Sequence, residues 1–474
     1  MDAPAATALT DAPAVPAPAT PVDAALVDAR PPGPPTPDAL VPAPRGDAAP
    51  AGRLPGTAAG ARSGARSGVG AGAGVAPGPA AAGPAGPAVA AAAPVLPAHA
   101  TQRPAVTELR LSAFASHRRA VFPLGPVTLF AGPSGSGKSQ TLAAYEALAG
   151  LGSGATLEEV FPDPRALVPD GAVPDAERRR GFRVGCTVGG PVGPVRLDLA
   201  VQAEPALRVV GERLSVDGEI LLSTALRDPG RRSVQAAWLT GGSVGVTRAP
   251  LPDDRLGTAL LPLRVAGATA GQRRVLAAAE QVVVALRSVF PCDPRPERMR
   301  APVPPGEGRL LGDCANLADV LRRTRHECGT RHALLAEAAR AGCAGVVAGL
   351  DVRAPAAGGP VTALLDRGPG RPGTELGRLG AGELRFLALA LVLLTGPGVL
   401  AVDPAAELPS ARQALTVLAD GLDRDMDRRQ SAELLRVALL ACGRGHVRLV
   451  ASVGEECAGA ARLLPGVSMV DLSS

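Results

Sequence analysis

The residues Gly132, Pro133, Ser134, Gly135, Ser136, Gly137, Lys138 and Ser139 are consecutive and complete a G-x-x-x-x-G-K-[ST] phosphate-binding pattern. The run holds the only lysine of the 474-residue chain. A composition rich in Ala, Gly, Pro, Arg and Val replaces Lys by Arg wherever either serves. A phosphate loop is where Arg does not serve: its planar fork is too wide to sit beneath terminal phosphates, whereas a lysine is a compact point charge. In such a loop backbone N–H groups cradle the α- and β-phosphates. Lys138 would reach the β- and γ-phosphates, and the Ser139 hydroxyl would ligate Mg²⁺. The expected nucleotide-contacting set runs from Gly132 through Gln140, with ATP and Mg²⁺ as cofactors.

A second element is Val399-Leu400-Ala401-Val402-Asp403, an apolar run ending in a carboxylate. An aspartate at the end of a buried strand beside a phosphate loop orients Mg²⁺, directly or through water. Asp403 is therefore the expected metal partner of Ser139. The alternative is an ordinary strand followed by an Asp-Pro turn.

These residues need elements to hold them. Val127-Thr128-Leu129-Phe130 is a short apolar run leading into the loop glycines, and Gln140–Leu148 reads as a helix. A helix N-terminus adds free N–H groups and partial positive charge where the phosphates would lie. Ahead of them, Thr107–Leu111 alternates as a half-buried strand, and the fold begins near Val106. Residues 151–180 read as loop. Arg183 to about Val246 reads as strands, with Val195–Val201 alternating cleanly. A helix is expected from Gln272 to Phe290 with Leu276, Ala279, Val283, Leu286 and Phe290 on one face. Leu317–Arg340 reads as mostly helical, 350–371 as irregular or strand-rich, and Glu383–Leu394 as an apolar helix. Two further helices, at about 409–422 and 430–441, precede a strand at Arg448–Val453.

Residues 1–104 are mostly Ala, Pro, Gly, Val, Asp, Arg and Thr without an aromatic residue, which predicts a disordered tail. The folded part is then a single domain, 105–474, with a helical insertion at about 272–345. No uninterrupted apolar run is long enough for a membrane span, and no secretory leader is recognisable. Seven dispersed cysteines without a C-x-x-C pair favour reduced thiols in a cytoplasm, as small buried residues. Net charge is +5 and the pI about 9.1, which is mildly basic and not the signature of a dedicated nucleic-acid binder. Arginine clusters at 118/119, 178–180, 231/232, 273/274 and 322/323 are solvated surface or a DNA-contacting face.

With these motifs the chain resembles the ABC-type ATPases of the RecF/SMC and overcoming-lysogenization-defect class, from about residue 106 to 470. Leu109–Phe114 followed by Val127–Gly132 is similar to that family's first strands and phosphate loop. Leu379-Gly380-Ala381-Gly382-Glu383-Leu384-Arg385 and the helix after it look like its signature motif. Asp313–Leu321, with the chain's only asparagine at Asn316, resembles a middle segment of these proteins. The resemblance implies an α/β P-loop NTPase of ABC-ATPase type: a central mixed sheet flanked by helices, an additional antiparallel β region and a helical insertion. It implies a homodimer or a hetero-partner, with ATP held between one subunit's phosphate loop and the other's Gly380, Ala381, Gly382 and Glu383.

Three positions depart from the family pattern. Its metal-orienting aspartate is followed by a glutamate that acts as general base, whereas Asp403 is followed by Pro404. Glu407 is the nearest carboxylate. The signature serine is replaced by Gly380. No histidine ends the late strand, which His446 precedes and where Ser452 is a weak substitute; His99, His117, His326 and His332 suggest no metal or nucleophile site. The binding half is complete and the hydrolytic half eroded, which predicts slow hydrolysis. The other readings are a nucleotide-bound scaffold that does not hydrolyse, and a P-loop kinase.

Overall fold

The strand, loop and helix expected around Lys138 are present, and two sheets pack around them. The structure, a computed structural model, describes residues 103–241, 245–306, 308–354, 358–396, 399–400 and 413–472. The described residues fall in one compact unit, Ala90–Ser474. The expected tail lies outside them apart from its last two residues, and Asp403, Pro404 and Glu407 lie outside them too.

The chain enters as a hairpin of β1 (Ala105–Phe114) and β2 (His117–Pro123). It crosses to a second sheet as β3 (Val127–Ala131) and continues into α1 (Lys138–Gly152). After α2 (Leu157–Val160) come β4 (Arg180–Gly189), β5 (Val195–Glu204), β6 (Arg208–Val216), β7 (Glu219–Ala225), β8 (Ser233–Leu239) and β9 (Val246–Pro252). These join the hairpin in an antiparallel sheet of order β2-β1-β4-β5-β6-β7-β8-β9. Its strands alternate because only one face is covered. In β5, Val195, Leu197, Leu199 and Val201 are buried while Arg196 is exposed.

Next come α3 (Gly257–Leu260), α4 (Ala270–Arg287), β10 (Val289–Pro291), α5 (Pro296–Met299), α6 (Leu317–Glu327) and α7 (Gly329–Gly342). A small antiparallel sheet of β11 (Gly349–Arg353), β12 (Thr362–Asp366) and β13 (Thr374–Glu375) precedes α8 (Ala381–Leu393). The described chain closes with β14 (Leu415–Ala419), α9 (Arg428–Cys442), β15 (Val447–Ser452), α10 (Glu455–Ala461) and β16 (Val467–Asp471). In the stretch 272–345, β10 separates α4 from α6 and α7.

The second sheet has the order β10-β14-β15-β3-β16, and every neighbouring pair is parallel. Among the described residues the central sheet is thus parallel, not mixed as expected. The cause is the connections: α9 and α10 carry the chain back over the sheet between β14, β15 and β16, which returns each strand in the same direction. Both faces are covered. Val127, Leu129 and Ala131 of β3 join Leu415, Val417 and Ala419 of β14 in a core with α6 to α9. Phe130, Leu418 and Val450 point the other way, into a core shared with α1, α4 and the antiparallel sheet. Arg448 on β15 ties the sheets together, donating to the carbonyls of Val106, Leu124 and Gly125 at 3.2, 2.8 and 3.0 Å.

The helix expected at about 409–422 is corrected over its described part: Leu415–Ala419 is β14, in the middle of the parallel sheet. A strand buried on both faces reads as a continuous apolar run, which periodicity does not separate from a buried helix. The buried strand expected at Val399–Val402 is described only at Val399 and Leu400. There Leu400 makes an isolated parallel bridge to Leu310, outside both large sheets. The face of α4 is turned from the expected one: Val275, Ala278, Ala279, Val282, Ala285 and Leu286 are buried, whereas Leu276 and Val283 are half-buried. Gln281 is buried with them, its amide bonded to Val188 O, Gly193 O and Val192 N–H at 2.7–2.9 Å.

Candidate functional site

The loop between β3 and α1 leaves the C-terminal edge of the parallel sheet, where α/β folds place their ligands. Gly132, Gly135 and Gly137 all have positive φ (146°, 84° and 94°). Such backbone curves the loop tightly, and Ser134, Gly135 and Ser139 are exposed on it. No side chain caps α1, whose N-terminal flank is Gly137. Its first-turn N–H groups are therefore available to an anion. Lys138 Nζ folds over the loop and donates to Gly132 O at 2.6 Å and Pro133 O at 2.9 Å. Ser136 Oγ is buried without a hydrogen-bond partner. A cationic head held only by carbonyls, an unpartnered hydroxyl and an uncapped helix end fit a phosphate chain. Gln140, expected on the nucleotide, instead gives its Oε1 to Ser116, accepting from Oγ at 2.7 Å and N–H at 3.2 Å.

Beside this loop the parallel sheet brings together Ser452, named from the sequence, and Asp420, which sequence reasoning missed. Asp420 follows the last residue of β14, and register pairing sets it level with Ser452, which ends β15 next to β3. Ser452 Oγ donates to Asp420 Oδ1 at 2.5 Å and accepts from Gly421 N–H at 2.7 Å. Asp423 accepts from Gly454 N–H at 3.1 Å and so anchors the start of α10. The signal for Asp420 was present in the sequence: Leu415–Ala419 is an apolar run ending in Asp, the pattern that singled out Asp403. Asp403 and Glu407 lie outside the described residues. Among the described residues no group of three His, Cys, Asp or Glu side chains is placed to hold a metal alone. A Mg²⁺ ion here would need phosphate oxygens as ligands, as Mg²⁺ at such loops ordinarily does.

A cleft of about 390 Å³ opens beside α1, lined by Leu142, Asp293, Arg298, Asp313, Leu418 and Asp420 among others. Its charges are largely committed. Arg298 pairs with Asp313 at 2.6 Å, and Asp293 faces Arg295, Arg385 and Arg424 at 3.3–3.7 Å. Arg385 is 3% exposed and comes from α8. It donates to Pro294 O at 2.5 Å and Gly421 O at 3.2 Å, so it joins α8, the loop after β10 and the residue after Asp420.

The signature-like residues sit at the start of α8. Gly380 flanks the helix and is exposed, and its N–H donates to Glu383 Oε2 at 3.1 Å. Glu383 Oε1 accepts from Ala344 N–H at 2.8 Å, so this carboxylate caps backbone on both sides. Gly382 is buried where α8 meets the loop after β14; a Cβ there would run into Asp425 O. Asn316 does not cap α6. Its side chain accepts from Leu311 N–H at 3.0 Å and donates to Arg309 O at 2.6 Å, pinning the loop before the helix.

The arginine clusters are mostly neutralised in place. Arg179 pairs with Asp175 and Glu177, Arg180 with Glu204, Arg231 with Asp228, Arg232 with Asp253, Arg274 with Glu219, Arg322 with Asp319 and Arg323 with Glu327. Arg273 donates to the carbonyls of Gly267 and Ala268. Of the clusters, Arg118, Arg119, Arg178 and Arg273 have no acidic partner among the described residues. All seven cysteines are free and six are buried; burial pushes the Cys186 and Cys442 thiols up to about 12. No helix among the described residues is long and apolar enough to cross a membrane.

No protein-family model and no curated protein matches the chain. Solved structures to which it is similar are head domains of SMC proteins. One is an SMC head bound to the C-terminal winged-helix domain of ScpA, at 13% identity and TM-score 0.40, covering 74% of this chain and 90% of that one. The SMC head of Thermotoga maritima matches at 13% identity and TM-score 0.35 over the same shares. An SMC head with an extended coiled coil, bound to the C-terminal domain of ScpA derived from Pyrococcus furiosus, matches at 11% and 0.40, covering 75% and 91%.

Proposed function

We propose that the chain is an ATP-binding protein of the RecF/SMC-like ABC ATPase class that binds MgATP at Gly132–Ser139 and hydrolyses it slowly. The observation that carries the reading is the loop: left-handed glycines, an uncapped α1 and the chain's only lysine, all at the C-terminal edge of a parallel sheet. Lys138 would exchange its two loop carbonyls for phosphate oxygens, and the Ser139 hydroxyl would face Mg²⁺. Asp420 is the carboxylate we assign to the metal's other side, in place of Asp403. It ends a strand of the same sheet, one strand removed from β3, and Ser452 holds its orientation.

Slow turnover follows under either assignment. The residue after Asp403 is Pro404 and the residue after Asp420 is Gly421, so neither aspartate is followed by a carboxylate able to take a proton from water. Missing general-base catalysis lowers a rate by about 10²–10⁴-fold. Closure of two copies around the nucleotide, with the exposed N-terminus of α8 offered to the partner's γ-phosphate, is the dimer this reading expects. Titration calorimetry with MgATP tests the binding. Lys138→Ala should remove it, and unchanged affinity in that variant would overturn the proposal. Turnover of roughly 1–100 s⁻¹, the range of efficient phosphoryl-transfer enzymes, would overturn the claim of slow hydrolysis.

A further inference from the structure

The turn between β1 and β2 grips the phosphate-binding loop from outside the parallel sheet. His117, at the start of β2, is buried, and its Nε2 lies 3.2 Å from Gly137 O and 3.0 Å from Thr141 Oγ1. Thr141 Oγ1 lies 3.0 Å from the same carbonyl. A carbonyl only accepts, so the short approach points to the tautomer that carries its proton on Nε2. The ring is fixed by aromatic contacts as well. It stands edge-to-face with Phe122 at 5.5 Å, and Phe122 stands edge-to-face with Phe130 of β3 at 5.4 Å. One residue earlier, Ser116 holds Gln140.

The fit leaves no room for a side chain at Gly137. A Cβ at Gly137 would lie 2.6 Å from His117 Nε2 and 2.7 Å from Ser116 Oγ. The turn adopts left-handed backbone at two alanines, Ala113 (φ 51°) and Ala115 (φ 49°), and is tied down by Ala115 N–H to Leu167 O at 2.6 Å. Non-glycine residues persist in that region when their surroundings over-determine them.

We propose that His117 is a positioning residue for the phosphate-binding loop, aiming the backbone N–H of Lys138 at the nucleoside triphosphate. The Gly137 carbonyl and the Lys138 N–H belong to one planar trans peptide, in which the two bonds point in opposite directions. A donor that fixes the carbonyl toward β2 therefore fixes the N–H away from β2. Thr141 holds the same carbonyl twice, through its N–H at 2.9 Å as the first helical bond of α1 and through its Oγ1 at 3.0 Å, and with His117 as the third hold the hairpin becomes part of the nucleotide site without touching the ligand. The inference rests on the proposed binding of ATP at this loop.

The test compares MgATP affinity by calorimetry, and melting without nucleotide, for the full chain and four variants. His117→Gln keeps an N–H at about the reach of Nε2. His117→Leu removes the donor, and His117→Asn keeps an N–H but draws it back. Lys138→Ala is the control for ATP binding itself. Affinity should fall roughly tenfold in the Leu and Asn variants, about the worth of one buried hydrogen bond, and stay within roughly threefold in the Gln variant. If the Leu variant does not fold, the Asn and Gln pair carries the comparison. Equal affinity for Asn and Gln, or wild-type affinity for Leu, overturns the positioning role. Absent binding in the wild type would instead overturn the proposed function, and normal His117 variants beside a dead Lys138→Ala would overturn this inference alone.

Discussion

Arg385→Met should destabilise the chain by about 2 kcal/mol, a value that follows from what each guanidinium nitrogen touches. Pro294 O accepts at 2.5 Å and would be left as a buried acceptor facing a thioether, at a cost of roughly 1–3 kcal/mol. Gly421 O loses a donor at 3.2 Å but keeps Arg424 N–H at 3.1 Å, so it contributes little. Asp293 is 46% exposed and also faces Arg295 and Arg424, so its loss is under about 1 kcal/mol. Against these costs, Arg385 Nε is buried without a partner, and removing it returns about 1 kcal/mol. Methionine refills most of the volume. Urea denaturation measures the result as a lower midpoint at unchanged slope. Arg385→Lys should recover only part, because one ammonium does not span acceptors on separate loops. A loss below about 0.5 kcal/mol would refute the reasoning, since α8 would then not depend on its hold on the loops after β10 and β14.

Other perturbations report on single contacts. Asp420→Asn should remove most of the Mg²⁺ enhancement of ATP binding, read as the affinity ratio with Mg²⁺ and with EDTA, while Asp403→Asn leaves that ratio intact; the reverse outcome would return the metal role to Asp403. Gly382→Ala should cost about 2 kcal/mol or more, because its Cβ meets the rigid Asp425 carbonyl, and thermal melting checks it. Burial holds the His117 imidazole below its ordinary value of 6.5, against a smaller upward pull from its bond to Gly137. Between that lowered value and 6.5 the folded chain binds fewer protons than the unfolded chain, so stability rises with pH there and is lost as pH falls through the window. Subtracting the pH profile of His117→Gln from that of the wild type should isolate this slope; identical profiles would contradict it.

The local chemistry was legible in the sequence because it is written in consecutive residues. The phosphate loop, its strand and its helix appear where Gly132–Ser139 placed them, since glycines at fixed spacing and one lysine are a backbone requirement and not a packing result. The strands of the antiparallel sheet were readable for a similar reason: with one face solvated, β5 alternates. The parallel sheet was not. β14 is buried on both faces and passes for a helix, so Asp420 after it went unnoticed in the sequence. Choosing between two apolar runs that end in aspartate needs the order β14-β15-β3, which depends on how helices far apart in the chain return the strands.

The same distance hid His117 and Arg385. His117 lies 20 residues from Gly137, and Arg385 lies 91 from Pro294 and 36 from Gly421. Neither spacing has a periodicity to reveal it. By itself the sequence determined a strand, a glycine-rich loop with the one lysine and a helix after it, because these are consecutive residues. Which carboxylate and which imidazole stand around the loop was decided only by the packing of two sheets on α1.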